Sequence, residues 1–202
     1  NLLNELINTD IKLSKRQRIY LEDSRYYVED VRKNVIDTYG FEKVYKQGFN
    51  IKTPIDLNLQ TKASVALRKG LEQYDRRRGW RGSLINKKIS KNWNKNLDKF
   101  KLEKSLGWEI AIIKKINKFD ANIETANNIK GKINFENLNW TRKNIDELFN
   151  VGDLVYVKKI NQEDYELKQL PAVNGGIVVM DPFTGRVLAM AGGFSFNKSE
   201  YN

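Results

Sequence analysis

The chain has 202 residues, 40% of them hydrophobic and 30% charged, with 36 Lys and Arg against 25 Asp and Glu for a net charge of +11. It contains no histidine and no cysteine, which excludes a Ser-His-Asp triad, a Cys-His dyad, a dithiol redox pair and a zinc site with nitrogen and sulfur ligands. The positive excess is spread along the chain, so it reads first as a lysine-rich surface; a phosphate-bearing partner, nucleic acid or an anionic membrane face, is the sharper alternative.

No apolar run approaches the roughly 20 residues of a membrane span, and no signal peptide is visible. The chain opens at Asn1 inside an amphipathic pattern, which predicts a piece internal to a longer protein. In chain order, the first element predicted is a helix from about Ser14 to Tyr39, with Val28, Val31 and Val35 on one stripe and Gly40 as its stop. Tyr45 to Thr53 reads as an extended stretch broken by Gly48, and Pro54 biases the chain away from helix. Asp56 then caps a helix over 57–78, with a stripe that includes Leu59, Ala63, Leu67, Leu71 and Tyr74. Arg76, Arg77 and Arg78 end it, where cations favour the dipole, and Gly79 stops it.

Residues 85–106 are polar and lysine-rich and read as a loop with one short helix. From Trp108 the period changes from 3.6 to 2. Strands are predicted at 108–116, 119–125, around 133–135, at 154–160 and at 165–170, with a short helix at Ile145–Phe149 before the fourth. Five short strands with that helix fit a small OB-type barrel, although a five-stranded open sheet gives the same pattern. After Pro171, Ile177 to Ala191 reads as a β-hairpin around the turn Asp181-Pro182-Phe183-Thr184-Gly185, with both arms largely buried and nothing yet to pack against. The fold class is therefore α+β, divided at 1–83, 84–170 and 171–202.

Ser195-Phe196-Asn197-Lys198 spells S-x-x-K. That chemistry needs the lysine one helical turn after the serine, yet Gly192-Gly193-Phe194 leads in straight from a strand and the companion motifs are missing, so the match reads as coincidence. The basic run Arg76, Arg77, Arg78, with Trp80 and Arg81, is the candidate interaction surface for phosphate or a stacked base; helix-end electrostatics is the plainer account. Trp108, Phe119, Phe135, Trp140 and Tyr156 share parity with the aliphatic residues and are expected in a core rather than displayed to bases. The neighbouring carboxylates Glu22-Asp23, Glu29-Asp30 and Glu163-Asp164 point apart on any regular element, so no acid/base dyad is expected. Gly175-Gly176 and Gly192-Gly193 lack the spacing of a phosphate loop. No catalytic, metal-binding or cofactor-binding residue is expected.

Four segments, in order, resemble the bifunctional class A penicillin-binding proteins of Gram-negative type. Thr53-Pro54-Ile55-Asp56-Leu57-Asn58-Leu59-Gln60 is similar to a family segment that commonly has threonine where this chain has Pro54. Tyr74-Asp75-Arg76-Arg77-Arg78-Gly79-Trp80-Arg81-Gly82 is similar to the segment ending the same helix. Gly152-Asp153 and the strands around it resemble the family's OB-like insert, and Asn174 to Met190 the opening strands of its transpeptidase domain. The resemblance implies a protein anchored in the inner membrane that works in the periplasm, polymerising lipid-linked disaccharide peptides and crosslinking their stem peptides. This chain would span the linker between the two catalytic domains, the insert and the start of the transpeptidase. Ser195 falls in a Gly-Gly-aromatic segment that precedes the family's nucleophile, so no catalytic residue carries over. The implied partners are peptidoglycan or its lipid-linked precursor and an outer-membrane activator at the insert, with no nucleic acid and no cofactor. A single-strand nucleic-acid-binding OB module is the alternative; an acylase using Ser195 and Lys198 is a third reading.

Overall fold

Helix α1 (Arg25–Tyr39) follows a 3-10 turn at Glu22–Ser24 in the computed structural model, which describes residues 22–87 and 92–198. The part of the expected first helix before Glu22 lies outside the described residues. Gly40 ends α1 at φ 82°, its N–H donating to the Ile36 carbonyl at 2.7 Å. The stretch expected to be extended from Tyr45 to Thr53 is helical in its first three residues: Phe41–Gln47 forms a second helix, α2, and the chain leaves helix only at Gly48. Two pairs at helical spacing support it, the Phe41 and Tyr45 rings at 4.5 Å and the Glu42–Lys46 ion pair.

Helix α3 (Leu57–Arg76) starts where the sequence places it. The Asp56 carboxylate accepts the N–H groups of Asn58 and Leu59 at 2.9 and 3.0 Å. It ends at Arg76, two residues early. Its buried face is more polar than the expected stripe: Gln60, Ala63, Ser64, Leu71 and Asp75 are buried, and Tyr74 is exposed.

The OB-like unit comprises β1 (Ile85–Asn86), β2 (Trp108–Ile116), β3 (Asp120–Thr125), β4 (Lys130–Asn134), the single turn α4 (Ile145–Leu148), β5 (Asp153–Lys159) and β6 (Tyr165–Lys168). The order is β1-β5-β2-β3-β4, with β6 also paired to β5, and every ladder is antiparallel. The expected barrel does not close. β4 meets the start of β6 through one isolated parallel bridge, Lys132–Asp164, and one hydrogen bond from Lys132 N–H to the Glu163 carbonyl at 2.8 Å. Beside the bridge the Tyr165 ring lies against the bare backbone of Gly131, where an added Cβ would stand 2.5 Å from the ring and 2.8 Å from the Glu163 carbonyl oxygen. The closing contact is a side chain on a backbone, not a ladder.

Both faces of the central strands are covered. Ala111, Ile113, Ala121, Ile123, Ile133, Val155, Val157 and Leu167 form the inner core with Trp80, Phe135 and Phe149. On the other face Ile110, Ile112, Leu154 and Tyr156 pack with Trp93 and Leu97 from the lysine-rich stretch. That explains why β2 and β5 read as continuous apolar runs. Phe135 and Tyr156 are buried and Trp108 and Trp140 partly so, as their parity predicts, but Phe119 is 71% exposed. It sits on the turn closed by Asn117 N–H to the Asp120 carbonyl at 2.8 Å, before β3 begins, so strand parity does not govern it.

The hairpin, β7 (Ile177–Met180) and β8 (Val187–Ala191), turns where expected. Gly185 takes φ 69°, and the Asp181 carboxylate accepts the Phe183 N–H at 2.9 Å and the Thr184 hydroxyl at 2.7 Å. The arms are less buried than predicted: on β8 Ala189 and Ala191 are buried and Val187, Leu188 and Met190 half-buried, while on β7 Val178 and Met180 are 58% and 56% exposed. The hairpin does have something to pack against, because α3 lies across it.

Replacing Gly131 with alanine should push the added methyl into Tyr165 and cost about 1–3 kcal/mol of overpacking. A urea unfolding curve checks this; an unchanged midpoint would mean that β4 and β6 are not held by this contact.

Candidate functional site

Asp75 is 1% exposed, at the end of the buried face of α3. One guanidinium nitrogen of Arg81 donates to both its carboxylate oxygens at 2.8 Å. The Gln169 amide donates to it at 2.8 Å and the Ala172 N–H at 3.0 Å. The ring of bonds is completed by Arg81 to the Leu170 carbonyl at 2.6 Å, by the Arg81 N–H to the Gln169 side-chain oxygen at 2.8 Å, and by Gln169 to the Gly79 carbonyl at 3.2 Å. Arg81 enters the OB-like unit and Gln169 and Ala172 leave it, so one buried carboxylate ties both ends of that unit to α3. Burial raises the Asp75 carboxyl, but the Ala172 N–H, Gln169 and Arg81 outweigh it and hold it below the ordinary carboxylate range.

The rest of the arginine run divides by direction. Arg76 donates to Glu166 at 2.6 Å and stands over the Trp140 ring at 4.8 Å. Trp80 is buried edge-on to Trp140 and Phe149. Arg77 and Arg78 are exposed, with Arg77 over the Tyr74 ring at 5.6 Å. Of the five residues singled out in the sequence, Arg76, Trp80 and Arg81 thus belong to the joint, and Arg77 and Arg78 face solvent. Lys168 adds to the joint through Glu72 at 2.8 Å and Glu166 at 3.2 Å. Sequence reasoning missed Asp75 and Gln169. The available signal was Asp75 itself, an acid four residues after Leu71 on a face meant for burial.

Ser195 and Lys198 are bonded to different groups. The buried Ser195 hydroxyl donates to Glu103 at 2.6 Å, the Asn197 N–H donates to the other oxygen of Glu103 at 2.7 Å, and the Lys198 ammonium donates to the Lys99 carbonyl at 2.9 Å. The segment is a turn, with Lys198 N–H on the Ser195 carbonyl at 3.1 Å, so the serine does not open a helix. Burial and the nearby Glu103 carboxylate push the Tyr26 hydroxyl up to about 12. Arg68 donates to the Phe194 carbonyl at 3.0 Å, to Asp23 at 2.8 Å and to Ser105 at 3.2 Å. This second joint gathers α3, the 103–105 loop and the segment after the hairpin.

A third contact ends the hairpin sheet. The side-chain amide of Gln60 donates to the Met190 carbonyl and accepts the Met190 N–H, both at 2.9 Å, as a neighbouring strand would. Its nitrogen also donates to the Asp23 carbonyl at 2.8 Å. The adjacent carboxylates do not converge: Glu22 accepts the Ser105 N–H, Asp23 pairs with Arg68, and Asp164 accepts from Asn161 and Asn134. Among the described residues no group of three or more Asp or Glu side chains could hold a metal ion.

Residues 80–173 match the family model described as the penicillin-binding protein OB-like domain. Penicillin-binding protein 1A of Rickettsia prowazekii is 35% identical across 99% of this chain, and that of Pseudomonas aeruginosa 28% identical across 88%. The chain spans 26% and 23% of these relatives, about a quarter of their length. The crystal structure of penicillin-binding protein 1A from Haemophilus influenzae has the same fold over 98% of this chain and 30% of its own, with a TM-score of 0.76 at 24% identity.

Asp75→Ala leaves the Arg81 guanidinium and the Gln169 amide short of partners and should cost about 2–3 kcal/mol at neutral pH. Because the folded carboxyl is depressed, its contribution is complete above its unfolded value of about 3.9 and is lost as pH falls through the lower folded value. Urea midpoints of parent and variant should therefore draw together as the pH is taken below the ordinary carboxylate range. A gap that persists there would assign the effect to packing instead.

Proposed function

The chain belongs to the penicillin-binding proteins through its OB-like domain, and from that premise we propose that it is a noncatalytic spacer and docking segment of an enzyme that polymerises and crosslinks peptidoglycan. The observation that carries this reading is the joint at Asp75, where both ends of the OB-like unit return to one carboxylate on α3. An insert tied at both ends to a helix is held at a fixed orientation while its far loops stay free to meet a partner. Residues 1–83 serve as the linker between the two catalytic domains, 84–170 as the insert, and 171–202 as the start of the transpeptidase.

The setting is the periplasmic side of the inner membrane; no described helix is long and apolar enough to cross a membrane. The partners are peptidoglycan or its lipid-linked precursor, through the parent protein, and an outer-membrane activator at the insert. Arg77 and Arg78, exposed at the end of α3, offer a separate basic docking surface on the linker side of the joint. A role in binding single-stranded nucleic acid is disfavoured because Phe135 lies in the core and Trp108 lies against Tyr156 and Phe194 at 5.9 and 5.2 Å, which leaves Phe119 as a lone exposed ring among the described residues of the OB-like unit, where a stacking platform needs several.

Two measurements test the reading. The chain should take no covalent label from a fluorescent β-lactam, and labelling abolished by Ser195→Ala would overturn the noncatalytic assignment. The chain should also capture an outer-membrane lipoprotein from envelope extracts, more weakly after Arg77→Glu with Arg78→Glu. Absence of any such capture would remove the docking role.

A further inference from the structure

Residues 194–198, just beyond the hairpin, are each held from outside it. The Phe194 carbonyl accepts from Arg68 of α3 at 3.0 Å, and its ring lies against Trp108 of β2 at 5.2 Å. The Phe196 ring meets Tyr26 of α1 edge-on at 5.0 Å. The Asn197 side chain accepts from Arg25 at 2.7 Å, and Lys198 donates to the Lys99 carbonyl at 2.9 Å. Glu103 supplies the central contact. One of its oxygens accepts the Ser195 hydroxyl at 2.6 Å and the other the Asn197 N–H at 2.7 Å.

Glu103 is itself fixed to the OB-like unit. It stands between the 3-10 turns Asp98–Phe100 and Lys104–Leu106, in the stretch that leads into β2. Tyr156 of β5 donates to the Phe100 carbonyl at 2.7 Å, and Leu102 and Leu106 pack in the apolar cluster with Leu71 and Phe194. Glu103 is 3% exposed, and the bonds it accepts from Ser195 and Asn197 come from neutral donors. As a packing contact that is a costly choice, because a buried charge loses its water and an apolar contact of similar size often holds as firmly. As a means of fixing direction it is effective. The two oxygens of one carboxylate grip a side chain and a backbone N–H two residues apart, which sets both the place and the course of the chain.

We propose that Glu103 is a positioning residue for the crosslinking reaction of the parent protein. From the insert it sets the course on which the chain leaves β8, and so places the catalytic groups that follow. The proposal rests on the reading of 171–202 as the start of a transpeptidase, and it gives the insert a direct part in that domain's geometry.

The contact is tested in the 202-residue chain and the role in the full-length parent. In the chain, Glu103→Ala should speed amide hydrogen exchange at Asn197 and Lys198 about tenfold and leave the β3 and β5 amides at their original rates. Unchanged exchange at Asn197 would show that Glu103 does not hold the segment. In the parent, Glu103→Ala should slow acylation by a fluorescent β-lactam about tenfold, because a small displacement of reacting groups is costly in rate. Glycan polymerisation by the same preparation should be unchanged, which controls for folding. Glu103→Gln keeps an acceptor for Ser195 but not for the Asn197 N–H, and its acylation rate should fall between. Ser195→Ala added to Glu103→Ala should cause little further loss, since both act through one contact. Equal loss of both activities, or full additivity of the two substitutions, would overturn the positioning role. Labelling at an unchanged rate would overturn it while leaving the transpeptidase reading intact; a parent that takes no label would remove that reading and the proposal with it.

Discussion

A carboxylate taken almost wholly out of water is costly unless its lone pairs are filled, and Asp75 is filled by Arg81, six positions on, and by Gln169 and Ala172, 94 and 97 positions on. Arg81 comes from the chain entering the OB-like unit, and Gln169 and Ala172 from the chain leaving it. Each bond is satisfied only when both ends of the unit stand at the C-terminal end of α3. Apolar burial at the same place would hold the two parts together with far less regard for angle.

Helix α3 repeats the device at its other end. Gln60 pairs with both backbone groups of Met190, and Asp75 lies 15 residues on, about 22 Å along the axis. One polar residue therefore fixes the hairpin and another fixes the OB-like unit, with Ala63 and Leu71 buried between them. The Arg68 and Glu103 contacts join the same three parts from the side. The hydroxyl and the amine of the S-x-x-K letters are absorbed into this joint. Ser195 serves as a buried donor, and Lys198 as a tether to Lys99.

What was legible in the sequence was local. The Asp56 cap, the stop at Gly40 and the Asp181–Gly185 turn are each decided within five residues, and each stands where the pattern placed it. The arginine run misled as a unit because helical geometry turns each successive residue by about 100°. Arg76 thereby reaches Glu166 while Arg77 and Arg78 reach solvent. Phe119 misled because the turn that ends at Asp120 cancels strand parity. The open barrel, the Asp75 joint and the Ser195–Glu103 bond depend on residues 34 to 97 positions apart, with no periodic trace.

The most direct measurement of the joint is a distance distribution across it. The chain has no cysteine, so spin labels can be placed singly at Val178→Cys on the hairpin and Phe119→Cys on the OB-like unit, both exposed. A rigid joint predicts one narrow distance in the parent that broadens in Asp75→Ala while the OB-like sheet stays folded. A distribution already broad in the parent, or one left narrow by the substitution, would contradict it.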